Sequence, residues 1–207
     1  MSKSIYKTWG LKHDAGTWSL AFVLDFSILC NKEVNDWYIS AFSRTVDSFS
    51  SLSRVSTVSF TSHHTEQSQP MMIRWNPELS YQKYINKVIE SIASYSAPIE
   101  ILEMYLDLQV YINTEQYLNK PVLEFVDYLG KITICGGKKY GNPYLYFEIE
   151  HTLFCPYSYS GEDNRVLYAL NQPLLEKALK SWEQEFNVEI EAEGLPGIYK
   201  YGFLPHS

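Results

Sequence analysis

The sequence predicts an α+β fold, with antiparallel-rich sheets covered by about four helices and arranged as two ferredoxin-like (βαββαβ-type) halves. Three observations predict it. Ile101 to Ile112 alternates without a break, with Leu102, Met104, Leu106, Leu108, Val110 and Ile112 set against Glu103, Tyr105, Asp107, Gln109 and Tyr111. That is a strand with two unlike faces. At ~3.3 Å per residue it runs roughly 40 Å, long enough to be the spine of a wide sheet. Segments of helical spacing lie on both sides of it. The order leading up to it reads strand, helix, strand, strand, helix, strand, the split arrangement of ferredoxin-like folds.

In chain order, Trp18, Leu20, Phe22, Leu24, Phe26 and Ile28 alternate with smaller or polar neighbours, as in a strand buried on both faces. Val34, Trp37, Tyr38, Ala41, Phe42, Val46 and Phe49 then follow helical spacing, with Asn31 as cap and Glu33 in the first turn. Alternation around Val55, Thr57 and Ser59 predicts a short strand, and Met71 to Trp75 the strand that returns beside it. Asn76, Pro77 and Glu78 read as a helix start, with Tyr81, Tyr84, Ile85, Val88, Ile89 and Ile92 as its buried stripe and Pro98 as its stop.

After the spine the pattern is expected to repeat. Asn119 and Pro121 open a helix with Val122, Phe125, Val126 and Leu129 inward and Gly130 as its end. Lys131 to Cys135 is a short strand, Gly136 to Pro143 a hairpin loop, and Tyr144 to Phe154 the long return strand. Asn171 and Pro173 start a last helix with Leu175, Ala178, Leu179, Trp182 and Phe186 inward, and a strand follows through Val188, Ile190 and Ala192. The expected division is residues 1–112 and 113–207, two α/β halves packed as one compact unit, with no residue-by-residue repeat between them.

The 207 residues, 45% of them hydrophobic, suffice for a full core. The net charge of −7 is uneven: residues 1–100 carry nine acids and nine bases, residues 101–207 fifteen acids and eight bases. Twelve of the seventeen tyrosines lie in that acidic half. Such a half is unsuited to phosphate-backbone contact, which needs clustered Lys and Arg, so a basic or neutral protein partner is expected rather than a nucleic acid. The N-terminal residues show no apolar core with a cleavage site, no apolar run spans a membrane, and Cys30, Cys135 and Cys155 are odd in number and far apart. The expectation is a cytoplasmic chain with reduced thiols.

The candidate binding face joins the polar sides of the two long strands: Glu103, Tyr105, Asp107, Gln109 and Tyr111 with Tyr144, Tyr146, Glu148 and Glu150. Tyrosine offers contact area at little entropic cost and carboxylates steer basic partners. The working expectation is a non-enzymatic binding module, in its most concrete form an immunity-type inhibitor whose carboxylates fill the basic active site of a toxin. Two alternatives use the same face. Glu148 and Glu150, roughly 6 to 7 Å apart on one side of a strand, together with Asp107, suit a small metal-dependent or acid/base hydrolase; or the face is buried between copies in a homo-oligomer.

No other motif carries chemistry. His63 and His64 beside Glu66 lack further ligands at metal spacing, and the His63-Thr65 step lacks its partner motif. His151 and Cys155 lack a third orienting group, and His151 falls on the apolar side of its strand. Gly136 to Gly141 lacks the Ser or Thr of a phosphate loop and leads into a strand instead of a helix. No cofactor or metal is expected.

Overall fold

The computed structural model describes residues 16–62, 70–113, 120–137, 141–158, 160–194 and 197–204. His63 and His64, the helix start expected at Asn119, and the turn residues Lys138 to Tyr140 lie outside them. The elements run β1 (Gly16–Ala21), α1 (Asn31–Phe49), β2 (Ser53–Thr61), β3 (Met71–Arg74), α2 (Tyr81–Ala93), β4 (Ile101–Asn113), β5 (Pro121–Gly137), β6 (Gly141–Ile149), α3 (Arg165–Phe186), β7 (Glu191–Gly194), β8 (Ile198–Tyr199) and β9 (Gly202–Phe203). Seven strands form one sheet in the order β3-β2-β4-β5-β6-β1-β7, and each neighbouring pair is antiparallel.

The fold is thus mixed α+β with a large antiparallel sheet, and among the described residues it has three α-helices, not four. The segment expected as the fourth helix, 121–129, is the first half of β5. Its Val122, Phe125, Val126 and Leu129 have helical spacing, but they also include the β-branched and aromatic residues that strands favour. Long-range pairing decides between the two: residues Pro121 to Val126 run antiparallel to Asn113 back to Leu108. Pro121 is tolerated as the first residue of the strand. The sheet is continuous across both segments, and the partners of β1 are β6 and β7 of the second.

Several element ends move for local reasons. β1 stops at Ala21, and Asp25 then accepts the Ser27 amide to cap a 3₁₀ turn at Phe26–Ile28, in place of a strand through Ile28. Cys30 rather than Asn31 precedes α1, and the Glu33 carboxylate accepts the Cys30 amide at 2.8 Å. Asn76 and Glu78 make a turn, while Ser80 caps α2 by accepting the Lys83 amide. β6 ends at Ile149 and a 3₁₀ turn covers Thr152–Phe154. α3 begins at Arg165, ahead of the expected start at Asn171, so Pro173 lies inside it and leaves the Ala169 carbonyl without its intrahelical donor.

The core lies on one side of the sheet. Registers align Leu20, Leu145, Ile134, Leu102 and Phe60 in one row and Trp18, Phe147, Ile132, Met104, Val58 and Ile73 in the next. All of these belong to one buried cluster with Val34, Tyr38 and Phe42 of α1, Tyr84 and Val88 of α2, and Leu175 and Trp182 of α3. Phe49 packs edge-on against Phe147 at 4.8 Å and Trp182 at 5.5 Å, so α1 and α3 are anchored to the middle of the sheet. Each such aromatic contributes roughly 1.5–3 kcal/mol through burial. Polar groups carried inward are matched: the Trp182 indole N–H donates to Thr45, and the Tyr38 hydroxyl lies 2.6 and 2.8 Å from the carbonyls of Glu100 and Gly136.

Candidate binding face

Because strand side chains alternate, the residues between those inner positions point to the other side of the sheet, away from the three helices. A row Thr61–Ile101–Cys135–Tyr144–Ala21 lies on that outer face, and two longer rows cross it. One is Met72–Ser59–Glu103–Thr133–Tyr146–Ser19–Glu191; the other is Arg74–Thr57–Tyr105–Lys131–Glu148–Thr17–Glu193. Glu103, Tyr105, Tyr146 and Glu148 of the expected face therefore do share one side. Their strands, however, are not neighbours, because β5 runs between them and sets Lys131 and Thr133 in the gap.

Lys131 changes the electrostatics of the face. Its Nζ lies 3.0 Å from Glu148 Oε2 and 3.9 Å from Glu103 Oε1, so one cation bridges the two acidic strands. Burial works against the lysine's charge, but the Glu148 hydrogen bond and charge, with Glu103 behind them, outweigh it and raise its pKa. Beside this bridge, Tyr144 and Tyr146 stack at 5.8 Å with their rings 18° apart. Tyr144 is exposed and Tyr146 half-buried, the latter's pKa raised chiefly by burial. The Tyr105 hydroxyl donates to Glu103 at 3.4 Å; burial first, and Glu103 second, raise its pKa.

Asp107 has a different place. It is 4% exposed and accepts from Arg54 Nε at 3.1 Å and from the Tyr128 amide at 3.3 Å. The Arg54 guanidinium lies over the rings of Phe125 at 4.3 Å and Trp75 at 4.7 Å. Asp107 sits where the β4–β5 ladder is irregular: Leu106 faces Gly130 and Leu108 faces Val126, so Asp127, Tyr128 and Leu129 bulge opposite it. Gln109 and Tyr111 continue the outer face beyond the bulge, opposite the exposed side chains of Phe125 and Leu123. Tyr111 is held there by Asn171 of α3, whose side chain accepts the Tyr111 amide at 2.6 Å and donates to its carbonyl at 3.0 Å.

Glu150, one residue past β6, lines a half-open pocket of about 280 Å³ with Lys131, Tyr105, Tyr128, Leu129, Gly130, Thr57, Met72 and Arg74. Of the expected face, only Tyr105 and Glu150 reach this pocket. Lys131, Tyr128 and Arg74 were not legible as site residues. Lys131 alternates with Ile132 in a segment readable as a strand, but its neighbours across the sheet depend on pairing. Tyr128 lay in the segment that reads as a helix.

Among the described residues no group of three or more His, Cys, Asp or Glu side chains is placed to hold a metal ion. Burial lowers the His151 pKa to about 4 and pushes the Cys155 thiol up to about 12, so the histidine is neutral and the thiol protonated at pH 7. No helix among the described residues is long and apolar enough to cross a membrane. Comparison with known proteins gives no match: no family model, curated protein or solved structure resembles the chain closely enough to carry an inference.

Proposed function

We propose that the chain is a non-enzymatic protein-binding module that engages a basic or neutral protein partner, and no nucleic acid, through the outer face of its sheet. The observation that carries this reading is the one-sidedness of the sheet: three helices cover one face, while the stacked Tyr144 and Tyr146 and the Glu103–Lys131–Glu148 bridge stand on the other. A rigid sheet presenting tyrosines beside charges matches the composition of recognition surfaces. The concrete form is a cytoplasmic immunity-type inhibitor whose Glu103, Glu148 and Glu150 approach a toxin's basic active site. Because Lys131 neutralises part of this acidity, the tyrosines supply affinity and the carboxylates mainly orient the partner. Asp107, buried on Arg54, serves the fold of the face and makes no contact.

The test is affinity purification of the tagged protein from its native cells at low salt, run in parallel with Tyr146→Ala and Glu148→Lys. A stoichiometric partner retained by the wild type and lost at least tenfold by both variants, each with unchanged circular dichroism, is the expected result. Equal retention by both would remove this face as the binding surface. The native mass recorded in the same run addresses the homo-oligomer alternative, which requires a multiple of the 24.0 kDa chain mass. The hydrolase alternative requires Mg²⁺ or Mn²⁺ to raise the melting temperature through Glu148, which here is already ion-paired with Lys131.

A further inference from the structure

We infer that the pocket beside Tyr128 is a binding site for a small aromatic carboxylate. Its construction is the first argument. Tyr128 has φ 56, in the left-handed region that costs a residue with a side chain roughly 1–2 kcal/mol. The bulge that imposes this is held by the buried Asp107, which takes the Tyr128 amide while paired with Arg54. The bulge seats Leu129 in the core, but the Tyr128 side chain itself is 51% exposed and adds little to it. What the strained backbone achieves is on the outer surface. It sets the Tyr128 ring edge-on to Tyr105, centroids 6.3 Å apart, and both rings line the pocket. A non-glycine residue held at positive φ with its side chain turned outward points to a function for that side chain.

The chemistry of the lining selects the ligand. Tyr105, Tyr128, Met72 and Leu129 are surfaces for a ring. Of the cations in this region, Arg54 is paired with Asp107, and Lys131 with Glu148 and Glu103. Arg74 makes no ion pair with any described residue and stands exposed at the β3 side of the pocket. A guanidinium there suits a carboxylate, which it can grip with two parallel hydrogen bonds. Glu150 lines the opposite, β6 side, so of the two ends of the pocket the one that offers a cation is the Arg74 end. The volume of about 280 Å³ equals that of roughly nine liquid waters, which suits one ring with a short acidic arm.

The test titrates 3-phenylpropionate into the purified full-length protein, followed by amide chemical shifts, beside its neutral amide and 3-phenylpropylamine. The carboxylate is expected to bind saturably, with shifts centred on Thr57, Tyr105 and Tyr128, at least about tenfold tighter than the amide, and the amine weakest. Arg74→Gln should abolish the preference of carboxylate over amide. Tyr128→Gly, which accepts the same φ without strain, should stay folded and weaken both ligands. Equal affinity for carboxylate and amide, an undiminished preference in Arg74→Gln, or shifts centred elsewhere would overturn the assignment. The pocket does not depend on the protein-partner reading. A protein that ignores phenylpropionate leaves the Tyr144–Tyr146 surface standing, and a partner unaffected by Tyr146→Ala leaves the pocket standing.

Discussion

Asp107 stands at a position that the alternation of β4 turns outward, yet it is buried and serves as acceptor for Arg54 and for the amide of Tyr128. Sequence periodicity gives the side of the sheet on which a side chain emerges. It does not give what lies over that side chain, and here a bulge from the next strand does. His151 shows a second consequence of burial. Its folded pKa of about 4 lies below the ordinary 6.5, with burial as the cause. Above pH 6.5 the imidazole is neutral in both states and contributes nothing. Between 6.5 and 4 the unfolded chain takes up a proton that the folded chain refuses, so stability falls as pH falls, by up to about 3 kcal/mol. Urea midpoints measured at pH 7 and 4.5 should drop less in His151→Gln than in the wild type; parallel drops would show that His151 is not the group responsible.

At the scale of elements, β4 outruns its neighbour β2, whose pairing with it ends at Leu108. The exposed ladder positions are taken over by other groups. The Gln109 amide donates to the Leu52 carbonyl at 2.7 Å, and the fully buried Asn171 of α3 closes on both backbone groups of Tyr111. A side-chain amide thus acts as a substitute strand and protects an edge that would otherwise invite pairing with another chain. Asn171→Ala should cost about 2–4 kcal/mol, because two backbone groups lose their partner at once. Hydrogen exchange at the Tyr111 amide should accelerate with it, and unchanged protection there would contradict this role. The Asn-x-Pro signal at 171–173 reads as a helix start, but it lies inside α3. The reason is that Asn171 has a tertiary task, and Asn164 and Arg165 carry the actual beginning.

At the scale of the molecule, the inner rows of the sheet draw on both halves of the chain, and Trp18, Met104, Ile132, Phe147 and Trp182 share one cluster. Such a core should unfold in one step. Urea transitions followed by tryptophan fluorescence and by far-ultraviolet circular dichroism should coincide. Two separated transitions would favour independent units at 1–112 and 113–207. Sheet order also decides the character of the candidate face. Alternation alone put Glu103 and Tyr105, and Tyr146 and Glu148, on the polar sides of two strands. That the sides coincide, and that Lys131 stands between them, follows only from the insertion of β5.

The sequence by itself determined the elements whose signals are local: the two-faced spine at Ile101–Ile112, the amphipathic stripes of α1 and α2, the hairpin joining β5 to β6, and the one-sided distribution of apolar residues. These need only neighbours within a turn or a strand repeat. The tertiary structure alone decided that 121–129 is a strand, that one sheet spans both segments, that Asp107 is buried while Lys131 bridges two strands, and that Tyr128 is carried over a pocket. Each of these rests on a contact between residues far apart in the chain. The free energy of burial and pairing across such a contact exceeds the small local preference that a periodicity expresses.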